Sequence, residues 1–183
     1  MVAFHQARLE WLTAMDMHVA VTVGCVAPPE DLFRHAVTDL ETLPRGVRRC
    51  GPLPGVARAE ILEGDALRTG VVRRVHLTDG SVLNEGIVEI AAPSSMSYRQ
   101  LTPYRFPLSL LAKSARGRYT FTPTGSGTRM TWEATIQLTS PLAYPLMACV
   151  RGLFLRRMMT GFLECVRDDV VRAQSNRDGS TAS

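Results

Sequence analysis

The stretch Gly117–Ile136, "GRYTFTPTGSGTRMTWEATI", reads as two strands joined by a glycine-rich turn. Two-residue periodicity puts Tyr119, Phe121, Met130, Trp132, Ala134 and Ile136 on one face. Arg118, Thr120, Arg129, Thr131, Glu133 and Thr135 fall on the other. A hairpin with one apolar and one polar face belongs to an antiparallel sheet whose polar side meets water. Its aromatic face must therefore press against a filled core or a hollow kept open for a guest.

Working outward, the same alternation recurs on both sides. From His18, Val19, Val21 and Val23 alternate with Ala20, Thr22 and Gly24, a strand signature. "APPEDLFRHAVTDLETLP" follows as a helix. Pro28 and Pro29 open it, acids occupy its first turn, Leu32, Phe33, Ala36 and Leu40 form its apolar face, and Pro44 is expected to end it. "CGPLPGV" is an irregular loop. Strand-like runs follow at 56–63, 69–78, 81–91 and 95–101, with "TDGS" and "AAPS" as turns between them. The segment 102–114, "TPYRFPLSLLAKS", is an apolar connection leading into the opening hairpin. After "TSPLAYP" a helical pattern runs to about Ala173, with Leu146, Val150, Leu153, Phe154, Met158, Phe162, Cys165, Val166 and Val170 as its apolar stripe. The sheet is expected to curl around this helix, which alone is long enough to cover it.

The organisation expected is an N-terminal extension at 1–16, one domain at 17–173 and a disordered polar tail at 174–183. In the extension, Ala7, Trp11 and Met15 at i, i+4 and i+8 suggest a short amphipathic helix. A chain of 183 residues suits one domain that needs no metal or disulfide staple. Its net charge of +4 comes from scattered basic clusters rather than a continuous stripe, which argues against nucleic-acid binding. Cys25, Cys50, Cys149 and Cys165 contain no C-x-x-C, and Cys149 and Cys165 would lie about 24 Å apart on one helix. Reduced thiols and a cytoplasmic location are the expectation. No signal peptide is evident, and Pro141–Leu155 is too short an apolar run to span a bilayer. A homodimer is left open.

The segments "TVGCVAPPEDLFRHAVTDLETLP", "RTGVVRRVHLTDGSVLNEGIVEIAAPSSMSYRQ" and "GRYTFTPTGSGTRMTWEATIQL" resemble the START-related, Bet v 1-like (SRPBCC) superfamily, in its bacterial polyketide cyclase/dehydrase and lipid-transport branch. The resemblance runs from about His18 to Asp169. It implies an α+β helix-grip fold: a seven-stranded antiparallel sheet gripping the C-terminal helix, with an internal hydrophobic cavity. Segments 50–55 and 102–114 are then expected at the cavity mouth, with Leu101, Tyr104, Phe106, Leu108, Leu110 and Leu111 as a lid.

Parity on the strand 69–78 groups Val71, Arg73, Val75 and Leu77. If that set faces inward, Arg73 is a buried guanidinium that requires an oxygen partner, and Glu85 across the hairpin is the nearest one. A bulge would flip the parity and leave the two as a solvated surface pair. The resemblance implies that Glu85 points into the pocket and that Arg73 matches an arginine anchoring polyketide oxygens in aromatase/cyclase members. Tyr119, Tyr98 and Trp132 read either as a phenol donor pair with a flat wall or as plain sheet aromatics.

The candidate catalytic residues are Arg73, Glu85 and Tyr119. The candidate lining is Val75, Leu77, Ile87, Tyr98, Phe106, Phe121, Trp132, Phe154 and Met158. His18, His35 and His76 are dispersed, so neither a metal site nor a cofactor is expected. Two functions fit. One is a cyclase-type enzyme acting on a polyketide-like chain, and the other a non-catalytic carrier or sensor of a lipid, quinone or similar apolar molecule. The tryptophan common in aromatase members after the first helices is absent from "LETLPRGV", which weakens aromatic ring closure in particular.

Overall fold

Alternating residues build seven strands: β1 (Asp16–Cys25), β2 (Val56–Ile61), β3 (Val72–Leu77), β4 (Val82–Ala91), β5 (Ser95–Gln100), β6 (Ala112–Thr124) and β7 (Gly127–Leu138). They pair antiparallel in the order β1-β7-β6-β5-β4-β3-β2, one open sheet. The structure, a computed structural model, describes residues 16–180. The N-terminal helix read from the sequence, together with His5, lies outside the described residues.

Between β1 and β2 the chain forms α1 (Pro29–Phe33), a π turn (Arg34–Thr38) and α2 (Thr42–Gly46). Pro44 does not end a helix; it sits inside α2. Within the first turn of a helix a proline loses no intrahelical bond, so the break falls earlier, at Asp39, which has extended backbone. Leu32, Phe33, Ala36 and Leu43 are buried, so this segment closes one end of the grip.

After β7 come a 3-10 turn (Pro141–Ala143), α3 (Tyr144–Val150), a π turn (Arg151–Leu155) and α4 (Arg156–Ser180). The helix continues seven residues past Ala173, to Ser180, into the segment read as a tail. Its buried stripe also differs from the sequence pattern. Met147, Val150, Met159, Phe162, Leu163, Val166 and Val170 are buried, whereas Leu146 and Leu153 are exposed. The π turn inserts one extra residue per turn and rotates the preceding helix relative to α4, so a stripe drawn at constant pitch slips off the core. Each large side chain buried from α4 contributes roughly 1.5–3 kcal/mol.

The hairpin quoted at the outset lies beside the edge strand β1, with β7 between β1 and β6. Tyr119, Phe121, Met130, Trp132 and Ile136 are all buried. Tyr119, Trp132 and Phe162 form a triangle of rings with centroids 5.1, 5.7 and 5.4 Å apart, bolting sheet to helix. Phe121 packs edge-on against Phe33 at 5.6 Å, deeper into the filled end. Bulges interrupt the ladder at Val56/Arg58, Ile87/Glu89 and Ala112/Ser114. None falls between β3 and β4, so the parity of Arg73 holds.

Candidate functional site

A cavity of about 190 Å³ separates the sheet from the C-terminal helix. Its cause is legible along two neighbouring strands. The large inward residues Tyr119 and Trp132 give way to Ala115 and Ala134, which leave space beneath the helix where Met158 and Met159 lie opposite. Its wall also includes Leu53 and Pro54 from the loop after α2, Tyr104 and Leu108 from the connection before β6, and Met147 from α3.

Three strands set the polar group. Arg73 on β3, Glu85 on β4 and Gln100 on β5 are successive cross-strand partners, and all three line the cavity. Arg73 is 1% exposed. Its Nε and Nη2 donate to Glu85 Oε2 at 2.9 and 2.7 Å. Its Nη1 is buried and has no hydrogen-bond partner in the protein. The guanidinium carbon lies 5.5 Å from the centre of the Tyr98 ring. Burial opposes the Arg73 charge, but the Glu85 carboxylate, with smaller contributions from Tyr119 and Tyr98, acts the other way, and the guanidinium stays above its ordinary pKa.

The phenols are donors rather than bases. Burial pushes Tyr98, Tyr104 and Tyr119 upward, with the nearby Glu85 carboxylate adding to the effect, so all three stay protonated. Tyr98 Oη accepts a 3.2 Å bond from Trp132 Nε1, which fixes both rings. The position of Tyr98 depends on Gly117, its cross-strand partner. A Cβ there would lie 2.4 Å from Tyr98 Cζ and Oη. A lone glycine in a strand interior signals such a close approach, and it was the available clue to this residue.

Among the residues predicted from the sequence, the structure brings Arg73, Glu85, Tyr119, Val75, Leu77, Tyr98, Trp132 and Met158 to the cavity wall. It does not bring Ile87, Phe106, Phe121 or Phe154 there. Ile87 is buried one step further into the filled end, beside Tyr98 on β5. Phe121 is occupied by Phe33. Phe106 is 78% exposed, because the 3-10 turn Leu108–Leu110 takes Leu108 inward and leaves the preceding ring outside. Phe154 braces the mouth loop instead. Gly51, at φ +56°, lies so near its ring that a Cβ would stand 2.4 Å from Cδ1. Of the residues expected as a lid, Tyr104 and Leu108 line the cavity, whereas Leu101, Phe106 and Leu110 are exposed. Gln100, Ala115, Ala134 and Met159 are among the lining residues that pattern reading missed.

The family described as polyketide cyclase / dehydrase and lipid transport matches residues 16–173. The chain belongs to this family. A comparison with curated proteins gives no match. Among solved structures it is similar to the di-domain ARO/CYC BexL from the BE-7585A biosynthetic pathway, at 20% identity and TM-score 0.65, over 91% of this chain and 54% of that one. It is also similar to Ara h 8.0201, at 16% identity and TM-score 0.63, over 86% and 99%. Norcoclaurine synthase from Thalictrum flavum, solved with dopamine and hydroxybenzaldehyde, gives 12% identity and TM-score 0.65, over 90% and 91%. These structures share the helix-grip fold with this member of the polyketide cyclase / dehydrase and lipid transport family. Among its described residues no helix is long and apolar enough to cross a membrane.

Proposed function

We propose that this protein binds a small hydrophobic molecule in the cavity and positions one oxygen of it on Arg73. The observation that carries the reading is the unspent Nη1 of a buried arginine on an otherwise apolar wall. A buried donor left unpaired costs about 1–3 kcal/mol, and a guest oxygen recovers that cost. An apolar cavity of roughly 150 Å³ already takes benzene. One of about 190 Å³ takes one or two rings or a short chain, with the remainder of a longer ligand leaving through the mouth. Polyketide-like intermediates, quinones and lipid tails all meet this description.

A second reading, cyclisation or dehydration of a polyketide-type chain, is supported by the family description and by the ARO/CYC neighbour. The cavity would hold one conformer and so lower the entropic barrier. Arg73 Nη1 would polarise a ketone oxygen. Glu85 would accept the α-proton as the C–H electron pair moves toward that oxygen. Against strong acid–base catalysis stands the Glu85 carboxylate itself, whose Oε2 already accepts two N–H bonds from Arg73. Binding is therefore the primary function proposed, with catalysis as its elaboration.

Thermal melts over a concentration series of aryl ketones, quinones and short-chain esters test the binding reading. A saturable rise in Tm is expected for at least one class, because a ligand that binds only the folded state stabilises it by mass action. No shift with any class up to its solubility limit overturns it. Turnover of a poly-β-keto substrate by the wild type but not by Arg73→Gln distinguishes the second reading.

A further inference from the structure

Among the described residues that line the cavity, Arg73 and Glu85 carry the only charges, one of each sign. They are in direct contact, at 2.7 Å, so the wall as a whole is neutral. We propose that Glu85 is a charge filter: by neutralising Arg73 it confines the site to uncharged hydrophobes bearing a hydrogen-bond acceptor and excludes carboxylates and ammonium ions. The proposal rests on the cavity being a ligand site and adds which ligands it admits.

An isolated buried arginine would attract a fatty or aromatic carboxylate strongly. Here the positive charge is already answered. A ligand carboxylate at Nη1 would bring a second anion next to Glu85 into a wall of low polarity, with no further cation to compensate it. An ammonium ion fares no better, because it would approach Glu85 beside the Arg73 guanidinium. A ketone, quinone or ester carbonyl accepts from Nη1 without importing charge. Further phenol donors are near, since Tyr98 and Tyr104 also line the cavity, while the Tyr119 hydroxyl is engaged with Tyr98. The pair is also dispensable for folding in principle, as buried ion pairs are commonly matched in stability by apolar replacements. Selecting the ligand gives it a role that packing does not.

Three ligands sharing one ring system test the filter by calorimetric titration at pH 7: 2-acetylnaphthalene, 2-naphthamide and 2-naphthoate. In the wild-type protein the neutral ketone and amide are expected to bind about tenfold or more tightly than the carboxylate. In Glu85→Gln, where Arg73 becomes an unanswered cation, 2-naphthoate is expected to gain about tenfold or more and overtake both. A measurement without any variant runs alongside. The apparent affinity of the wild type for 2-naphthoate should rise as pH falls and the ligand becomes the uncharged acid.

Tight binding of 2-naphthoate by the wild type at pH 7, equal to that of the ketone, overturns the filter and leaves the cavity reading intact. A neutral preference that persists unchanged in folded Glu85→Gln overturns the role of Glu85. An affinity for naphthoate that is flat or falling toward low pH does so without the variant. Binding of none of the three by either protein brings down the cavity reading, and the filter with it.

Discussion

Arg73 and Glu85 meet on a regular rung of the β3–β4 ladder, and their contact changes what substitution at either position should do. From sequence alone, Arg73→Ala is expected to abolish turnover or binding while leaving the melting temperature nearly unchanged or higher. The observed pair reverses the stability half of that expectation. Truncating Arg73 strands the Glu85 carboxylate, whose side chain is 14% exposed, and breaking such a pair costs about 3 kcal/mol. The double change Arg73→Met with Glu85→Leu removes both charges together. It should be neutral or more stable by about 1–4 kcal/mol, yet lose the binding of carbonyl ligands. Urea unfolding of the two variants checks the order, and a double variant less stable than Arg73→Ala alone contradicts it. In the sequence, parity and the cost of an unpaired charge joined Arg73 to Glu85, the family resemblance implied that Glu85 points inward, and the unbroken β3–β4 ladder excludes the surface alternative. Ala115 and Ala134 escaped that reading because they act by being small, and an alanine leaves no chemical signature on its own strand.

At the scale of elements, strands were more legible than helices. A strand announces its buried face through a period of two, and bulges displaced that face only locally, away from the β3–β4 pair. The helix carries a π turn at Arg151–Leu155 that no residue type marks in advance. Its extra residue is why Met147 and Val150 face the cavity while Leu146 and Leu153 remain outside. The same consideration explains Phe106, whose placement followed from a 3-10 turn rather than from hydrophobicity. Within α4 one position has room for improvement. Gly161 lies in the helix interior, and a Cβ added there would meet no atom within 4 Å. Gly161→Ala should therefore raise stability by about 0.5–1 kcal/mol through the lower entropy of the unfolded chain. Ligand affinity should be unchanged, because Gly161 does not line the cavity. A lower urea midpoint would mean that the surrounding helix surface is less open than its geometry shows.

For the molecule as a whole, the decisive property is that sheet and helix part company around the small residues of β6 and β7 while meeting tightly at the aromatic triangle. Order of elements fixes the grip; only the sizes of inward side chains decide whether it closes on itself. Stability and binding should then pull in opposite directions at one position. Ala134 stands between Val19 on β1 and Gly117 on β6, and lines the cavity. Ala134→Leu fills space that would otherwise hold a guest. Cavity filling of this kind commonly adds about 0.5–2 kcal/mol. The Tm of the ligand-free variant should rise, and the ligand-induced rise seen in the wild type should disappear. Were the region already packed, the added methylenes would cost about 1–3 kcal/mol by forcing neighbours off their rotamers. A lower Tm for the free variant with undiminished ligand response is thus the result that would place the guest elsewhere. Measuring both quantities on one sample separates the cases, since only a guest held elsewhere keeps its full response when Ala134 is enlarged.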